Sequence, residues 1–271
     1  MAKKKIGIYN VLQSTPNNKV EDLYLIVDNH SIAFAVKNIH NNSYQSFEYF
    51  VNDPENISWN QLIAYLQNNS KLIQNTYHHI YFVMNNNNYI ITKKYEIEDT
   101  LLYKNELSLL FDISEDEEVQ LTELSNGKML VYTIPDQINT LLTRTFPTGK
   151  WHHYTEYLMN PISNGIQVFM FANNFCMVIH EDGALKLINH FKVGDEDQNS
   201  YTLLSTCINA GISPDTNTIT IAGLATEQTN WINFIEKYFA NTIIKMAPDD
   251  DIGLKLNSEF PHHTYAPYFI F

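Results

Sequence analysis

Leu23-Tyr24-Leu25-Ile26-Val27-Asp28-Asn29-His30-Ser31-Ile32-Ala33-Phe34-Ala35-Val36 is the stretch that decides the fold. Five apolar residues, four polar turn formers and five apolar residues read as two buried strands joined by a tight turn. Working outward, Asn41-Asn42-Ser43 is a second turn, and Tyr44 to Val51 is a third strand with Phe47, Tyr49 and Val51 alternating. A helix follows, capped by Ser58, with Leu62, Ile63 and Leu66 on one stripe and Asn68-Asn69 at its end. Ile80 to Met84 is the next buried strand.

The same order returns later. Ile166 to Phe171, Phe175 to Ile179 and Ala184 to Phe191 read as three strands. They are separated by Ala172-Asn173-Asn174 and Glu181-Asp182-Gly183. A helix over Asp197 to Asn209 follows, with Tyr201, Leu204 and Ile208 as its apolar face, then a strand over Thr218 to Ala222. Strand–strand–strand–helix–strand therefore occurs twice, near 23–84 and 166–222, a period far longer than that of a solenoid. Between the copies, Tyr89 to Ile91 is extended. Leu101 to Phe111 reads as an acidic-to-neutral helix with Leu102, Leu109 and Leu110 apolar. Val119 to Leu124 and Lys128 to Ile134 form a hairpin about Asn126-Gly127, and Pro135 opens a helix. Trp231 to Phe239 is the last helix before a short strand at Ile243-Ile244.

Composition narrows the function. The chain has 271 residues, 17 Lys+Arg against 30 Asp+Glu, and a formal net charge of −13. That balance argues against a nucleic-acid partner. Two Cys exclude a disulfide scaffold or a Cys-rich zinc module, and 44% hydrophobic residues exclude a disordered chain. No apolar run reaches transmembrane length and no signal-peptide core follows Lys3-Lys4-Lys5, so a cytoplasmic location is expected. The three lysines are expected to be a solvated, frayed end, and the first twenty residues a lead strand or an arm.

Two ribonuclease-H-like halves in this order resemble the actin-like ATPase superfamily. The nearer resemblance is to PilM-type pilus-assembly scaffolds and to an uncharacterised Bacteroidetes family with an actin-like ATPase fold. Leu25 to Ile32 resembles the first phosphate hairpin, and Asn88 to Lys93 the segment after the fourth strand. Leu130 to Pro135 resembles the strand leading into a helix before the second half. Asp182-Gly183-Ala184-Leu185 with Asn189-His190-Phe191, and Glu196-Asp197 with Tyr201 to Leu204, resemble further family segments. Ile219 to Gly223 resembles the strand and turn before the adenosine motif. The implied fold is α/β, a duplicated ribonuclease-H-like architecture of two mixed five-stranded sheets flanked by helices. The expected subdomains are 1–160, with an inserted α+β part near 85–134, and 161–271.

The resemblance also implies a nucleotide site, and the sequence departs from it. Family members cradle phosphates with glycine-bearing hairpins, whose backbone N–H groups form anion nests. Here the first loop keeps Asp28 and Ser31 but has His30 where Gly is expected. The second, Phe171 to Asn174, has neither acid nor Gly, although Asn tolerates a left-handed turn. Of the paired adenosine-motif glycines only Gly223 remains. Asp28, Ser31, Asn173 and Gly223 are thus the cofactor-binding candidates, with ATP and Mg²⁺ the cofactors offered but not favoured. The expected function is a non-catalytic scaffold or protein-binding module with a protein or peptide partner; peripheral association with a membrane complex stays open. An ATP-binding protein or ATPase with atypical phosphate loops is the alternative. No catalytic residue is assigned, since there is no G-x-S-x-G elbow or P-loop.

No metal ligand is assigned either. The His78-His79, His152-His153 and His262-His263 pairs are expected to be structural or surface residues, each pair splitting across a strand's two faces. Glu115 to Glu118 and Asp249 to Asp251 read as solvated acidic segments, and Tyr265 to Phe271 as an apolar tail docked on its own domain.

Overall fold

The computed structural model describes residues 2–9, 21–52, 59–96, 99–159, 164–223, 229–247 and 262–271. The expected Ser58 cap and the Asp249 to Asp251 turn lie outside them. The chain divides into two compact units, Met1–Glu156 and Tyr157–Phe271.

In the first unit, β1 (Lys3–Tyr9), β2 (Glu21–Asp28), β3 (Ser31–Asn38), β4 (Ser43–Val51), β5 (Ile80–Asn85) and β9 (Lys150–His153) form one sheet, ordered β1-β4-β3-β2-β5-β9. β2, β5 and β9 run parallel; the other pairs are antiparallel. The central strands β2 and β3 are buried along both faces, and α1 (Trp59–Asn69) packs against α3 (Asp136–Thr145). α1 buries Leu62, Ile63 and Leu66, the stripe expected from spacing, and Trp59 besides. A smaller sheet of β6 (Tyr89–Lys93), β7 (Glu117–Glu123) and β8 (Lys128–Pro135) carries α2 (Thr100–Ser108) over its own core of Tyr103, Leu107, Met129 and Val131.

The second unit repeats the design after α4 (Tyr154–Leu158). β10 (Gly165–Met170), β11 (Asn174–Glu181), β12 (Ala184–Lys192), β13 (Thr218–Ala222) and β14 (Asn241–Ile244) are ordered β12-β11-β10-β13-β14. β10, β13 and β14 run parallel. α5 (Glu196–Asn209) packs against α6 (Thr229–Ile235), and both cover the core around Phe175, Met177, Leu203 and Trp231. α7 (His262–Tyr265) and a 3₁₀ turn over Ala266–Tyr268 end the chain. The order β4-β3-β2-β5-β9 matches β12-β11-β10-β13-β14 strand for strand, so the duplication is real.

Four expectations are corrected. The first sheet has six strands, not five, because β1 pairs antiparallel with β4. Lys4 is accordingly no frayed, solvated residue: its Nζ lies 2.5 Å from Glu48 Oε1, a fully buried carboxylate. The helix expected over Leu101 to Phe111 ends at Ser108, so Leu109 and Leu110 lie beyond α2; they and Leu102 are exposed, while Tyr103 and Leu107 are buried. On α5 Tyr201 and Ile208 face solvent and the buried face is Asn199, Ser200, Leu203 and Cys207. Asn199 is buried at no polar cost, since its side chain donates to Gly194 O (3.1 Å) and accepts from Gly194 N–H (2.9 Å).

Candidate functional site

Parallel α/β sheets present ligands at the carboxyl ends of their strands. In the first unit those ends carry Asp28, Asn85 and His153. Asp28 and Asn85 face each other in register across β2 and β5, and Met84 faces His153 across β5 and β9. Asp28 is buried at the strand end. Its Oδ1 accepts the Asn29 N–H at 2.5 Å, while its Oδ2 has no partner. Burial pushes the carboxyl up to about 7, against the opposing pull of the Asn29 hydrogen bond. Ser31 sits directly across the turn from Asp28 and is also buried. The turn residues Asn29 and His30 both keep negative φ; among the described residues only Asn42 and Asp182 are positive-φ non-glycines. This two-residue turn therefore closes without the conformation that would demand glycine.

At the ends of β5 and β9 and just beyond them lie residues that no motif pointed to. Asn86 Nδ2 donates to Thr133 O (2.9 Å), and His153 Nε2 lies 3.2 Å from Asn86 O. Thr155 is wholly buried and its Oγ1 has no partner. A visible signal existed: Asn85-Asn86 ends an uninterrupted apolar run, where a buried strand meets its loop.

The second unit treats the corresponding ground differently. Asn173 stands in the β10–β11 turn with negative φ, so its expected left-handed role does not arise. Its carbonyl accepts the Val193 N–H at 3.0 Å. The neighbouring Asn174 is buried with both Oδ1 and Nδ2 unpartnered. Phe171 holds the place corresponding to Asp28, and its ring meets Tyr268 edge-on at 5.6 Å. Gly223, just past β13, has φ +92 and donates its N–H to His263 O (2.9 Å). A Cβ there would collide with Met170 O and lie 2.8 Å from Pro267 Cγ. Phe271 meets Tyr157 edge-on at 4.7 Å. The chain's own last ten residues thus cover the carboxyl ends of β10 and β13, with Ala266, Tyr268 and Phe269 buried. Gly223 is required here by close backbone approach and by the tail.

Neither hairpin holds a lysine or arginine: the turns read Asp28-Asn29-His30-Ser31 and Phe171-Ala172-Asn173-Asn174. Elsewhere in the second unit, a groove of about 360 Å³ lies between α5 and α6, lined among others by Glu196, Asp197, Trp231, Phe234 and Lys237. Exposed Tyr201 and Ile208 on α5, and Tyr238 just past α6 beside the Phe234 ring (4.7 Å), leave apolar surface in the same unit.

The histidine pairs differ from expectation in two cases: His262 and His263 lie in the helix α7 rather than on a strand, and His78-His79 is the other. His152 and His153 lie on β9, with His153 buried and His152 half-buried. His78 and His79 precede β5, outside any strand, so alternation does not separate them. Both Nδ1 atoms converge on Asp22 Oδ1, at 3.5 and 3.2 Å.

Among the described residues, no helix is long and apolar enough to cross a membrane. No curated protein matches the sequence. A Bacteroides thetaiotaomicron protein with an actin-like ATPase fold and unknown function is similar in structure. Its TM-score is 0.73 at 14% identity, over 88% of this chain and 94% of that one. The ethanolamine utilization protein EutJ of Carboxydothermus hydrogenoformans aligns with TM-score 0.48 and 7% identity, over 94% and 90% of the two chains. The cytoplasmic domain of EpsL, an inner-membrane component of the type II secretion system of Vibrio cholerae, aligns with TM-score 0.42 and 13% identity, over 74% and 80%. The fold is that of the actin-like ATPases. Residues 13–242 match the family described as protein of unknown function (DUF3822), and the chain belongs to that family.

Proposed function

We propose that this protein is a non-catalytic actin-like scaffold that holds a segment of a partner protein. The observation that carries the reading is the tail. The strand ends of the second unit, where the resemblance puts nucleotide phosphates and adenosine, are covered by Pro267, Tyr268 and their neighbours. Phosphate binding there needs glycine-bearing turns and fixed positive charge. The turns supply neither, and a phenylalanine replaces the acid.

For the partner, the groove between α5 and α6 supplies the chemistry. Trp231 and Phe234 offer apolar wall, and Glu196 and Asp197 outnumber Lys237. Aromatic anchors within a charged rim favour a short peptide with an apolar anchor and flanking Lys or Arg. The carboxylates also complement the α5 N-terminus, where they stabilise the helix dipole. A random peptide library selected on the full chain tests the reading. It is expected to enrich sequences pairing an aromatic or aliphatic anchor with basic residues. Glu196→Lys with Asp197→Lys is expected to weaken them by about tenfold or more. Enrichment of acidic peptides, or indifference to the charge reversal, would contradict it.

A further inference from the structure

We infer that Asp22, His78 and His79 form a binding site for a zinc-class divalent cation. The site lies at the amino-terminal ends of β2 and β5. It is six residues along β2 from Asp28, roughly 20 Å at ~3.3 Å per residue, and so separate from the strand ends described above. The three ligand atoms all lie within 4.8 Å of one another. Zinc holds imidazole nitrogen and carboxylate oxygen at about 2.0–2.2 Å in a tetrahedron, which sets neighbouring ligands roughly 3.3–3.5 Å apart. The separations found from Asp22 Oδ1, 3.5 Å to His78 Nδ1 and 3.2 Å to His79 Nδ1, are close to the edges of such a polyhedron. The imidazoles meet at 72° with centroids 3.9 Å apart, so they converge rather than stack.

The backbone prebuilds this arrangement. Leu23 N–H donates to His79 O (2.9 Å), His78 N–H to Glu21 O (2.8 Å), and His79 N–H to Asp22 Oδ1 (3.0 Å). Oδ1 already accepts that backbone N–H, so two imidazole N–H donors would crowd the same oxygen. A cation among the three groups uses the nitrogen lone pairs instead. The Asp22 side chain is 9% exposed, while His78 and His79 are 47% and 54% exposed. The carboxylate is therefore fixed while the imidazoles open to solvent, leaving the cation's remaining positions to water. Two imidazoles and one carboxylate suit zinc and its first-row neighbours; magnesium and calcium take oxygen ligands.

The test is calorimetric titration of the untagged, chelator-stripped full chain with Zn²⁺, repeated with Co²⁺ by visible absorption. One-to-one binding is expected, weakened about tenfold or more in His78→Ala and in His79→Ala and unchanged in His40→Ala, an exposed histidine elsewhere. Because both imidazoles are half exposed, these variants keep the fold, which far-UV circular dichroism verifies. Mg²⁺ and Ca²⁺ are expected not to compete. Absence of Zn²⁺ binding, binding indifferent to the His78→Ala and His79→Ala changes, or displacement by Mg²⁺ would overturn the inference.

Discussion

Replacing Lys4 by Met removes one charge from a buried cluster and keeps the aliphatic stem. In the native protein Glu48 is wholly buried and accepts from four donors: Lys4 Nζ (2.5 Å), Tyr9 OH, Ser70 Oγ and Lys71 N–H (3.0 Å). Deleting one partner of a buried ion pair costs about 3–5 kcal/mol, because the other charge stays buried. Two features reduce that figure. The Lys4 side chain is 23% exposed, and Glu48 keeps three donors. We therefore expect a loss of about 2 kcal/mol, roughly thirtyfold in the folding constant of the first unit. Urea denaturation followed by tryptophan fluorescence reports it, since Trp59 and Trp151 lie in the first unit and Trp231 in the second. The midpoint should fall with an unchanged m value. Lys4→Met with Glu48→Gln should recover part of the loss, because the stranded charge is gone. A change below about 0.5 kcal/mol, the size of an exposed pair, would return Lys4 to solvent and refute the reasoning.

Gly223→Ala puts a Cβ at φ +92 against Met170 O and Pro267. Backbone strain and collision together should cost about 3 kcal/mol. Hydrogen exchange of the residue 223 N–H, which is bonded to His263 O, should quicken as the tail lifts. Tyr268→Ala should loosen the same segment by about 3 kcal/mol through loss of a buried ring on Phe171, read as a lower melting temperature of the second unit. The Asp28 carboxyl titrates near 7 in the folded protein and near 4 when unfolded. The folded state then binds the proton more tightly, so stability of the first unit falls as pH rises from about 4 to about 7 and levels above. Asp28→Asn should flatten that slope, gaining up to about 4 kcal/mol over wild type between pH 4 and pH 8, by urea denaturation across that range.

The element order was legible because dense apolar runs meet Asn-rich turns, and a run as short as Leu23 to Val27, bounded by turn formers, suits a strand buried on both faces. What the one-dimensional pattern hid was pairing. Lys4 looked solvated because its partner, Glu48, is 44 residues away. The buried face of α5 was misassigned because Asn199 and Ser200 go inside with their hydrogen bonds met locally, to Gly194 and Glu196 O, while Tyr201 and Ile208 stay out. The His78-His79 pair was split across two faces by assuming a strand, whereas β5 begins one residue later. At the candidate site the eroded turns were visible in sequence. The tail's position over β10 and β13 was not, because it rests on the contacts of Gly223 with residues forty or more positions later and of Phe171 with one more than ninety later.

The most direct test of the central claim, a kept fold whose nucleotide ground is built over, is calorimetric titration of the full chain with ATP and Mg²⁺. No saturable binding is predicted, in the wild-type protein or in Asp28→Ala. Micromolar binding by the wild type that disappears in Asp28→Ala would contradict the account and establish a working nucleotide site.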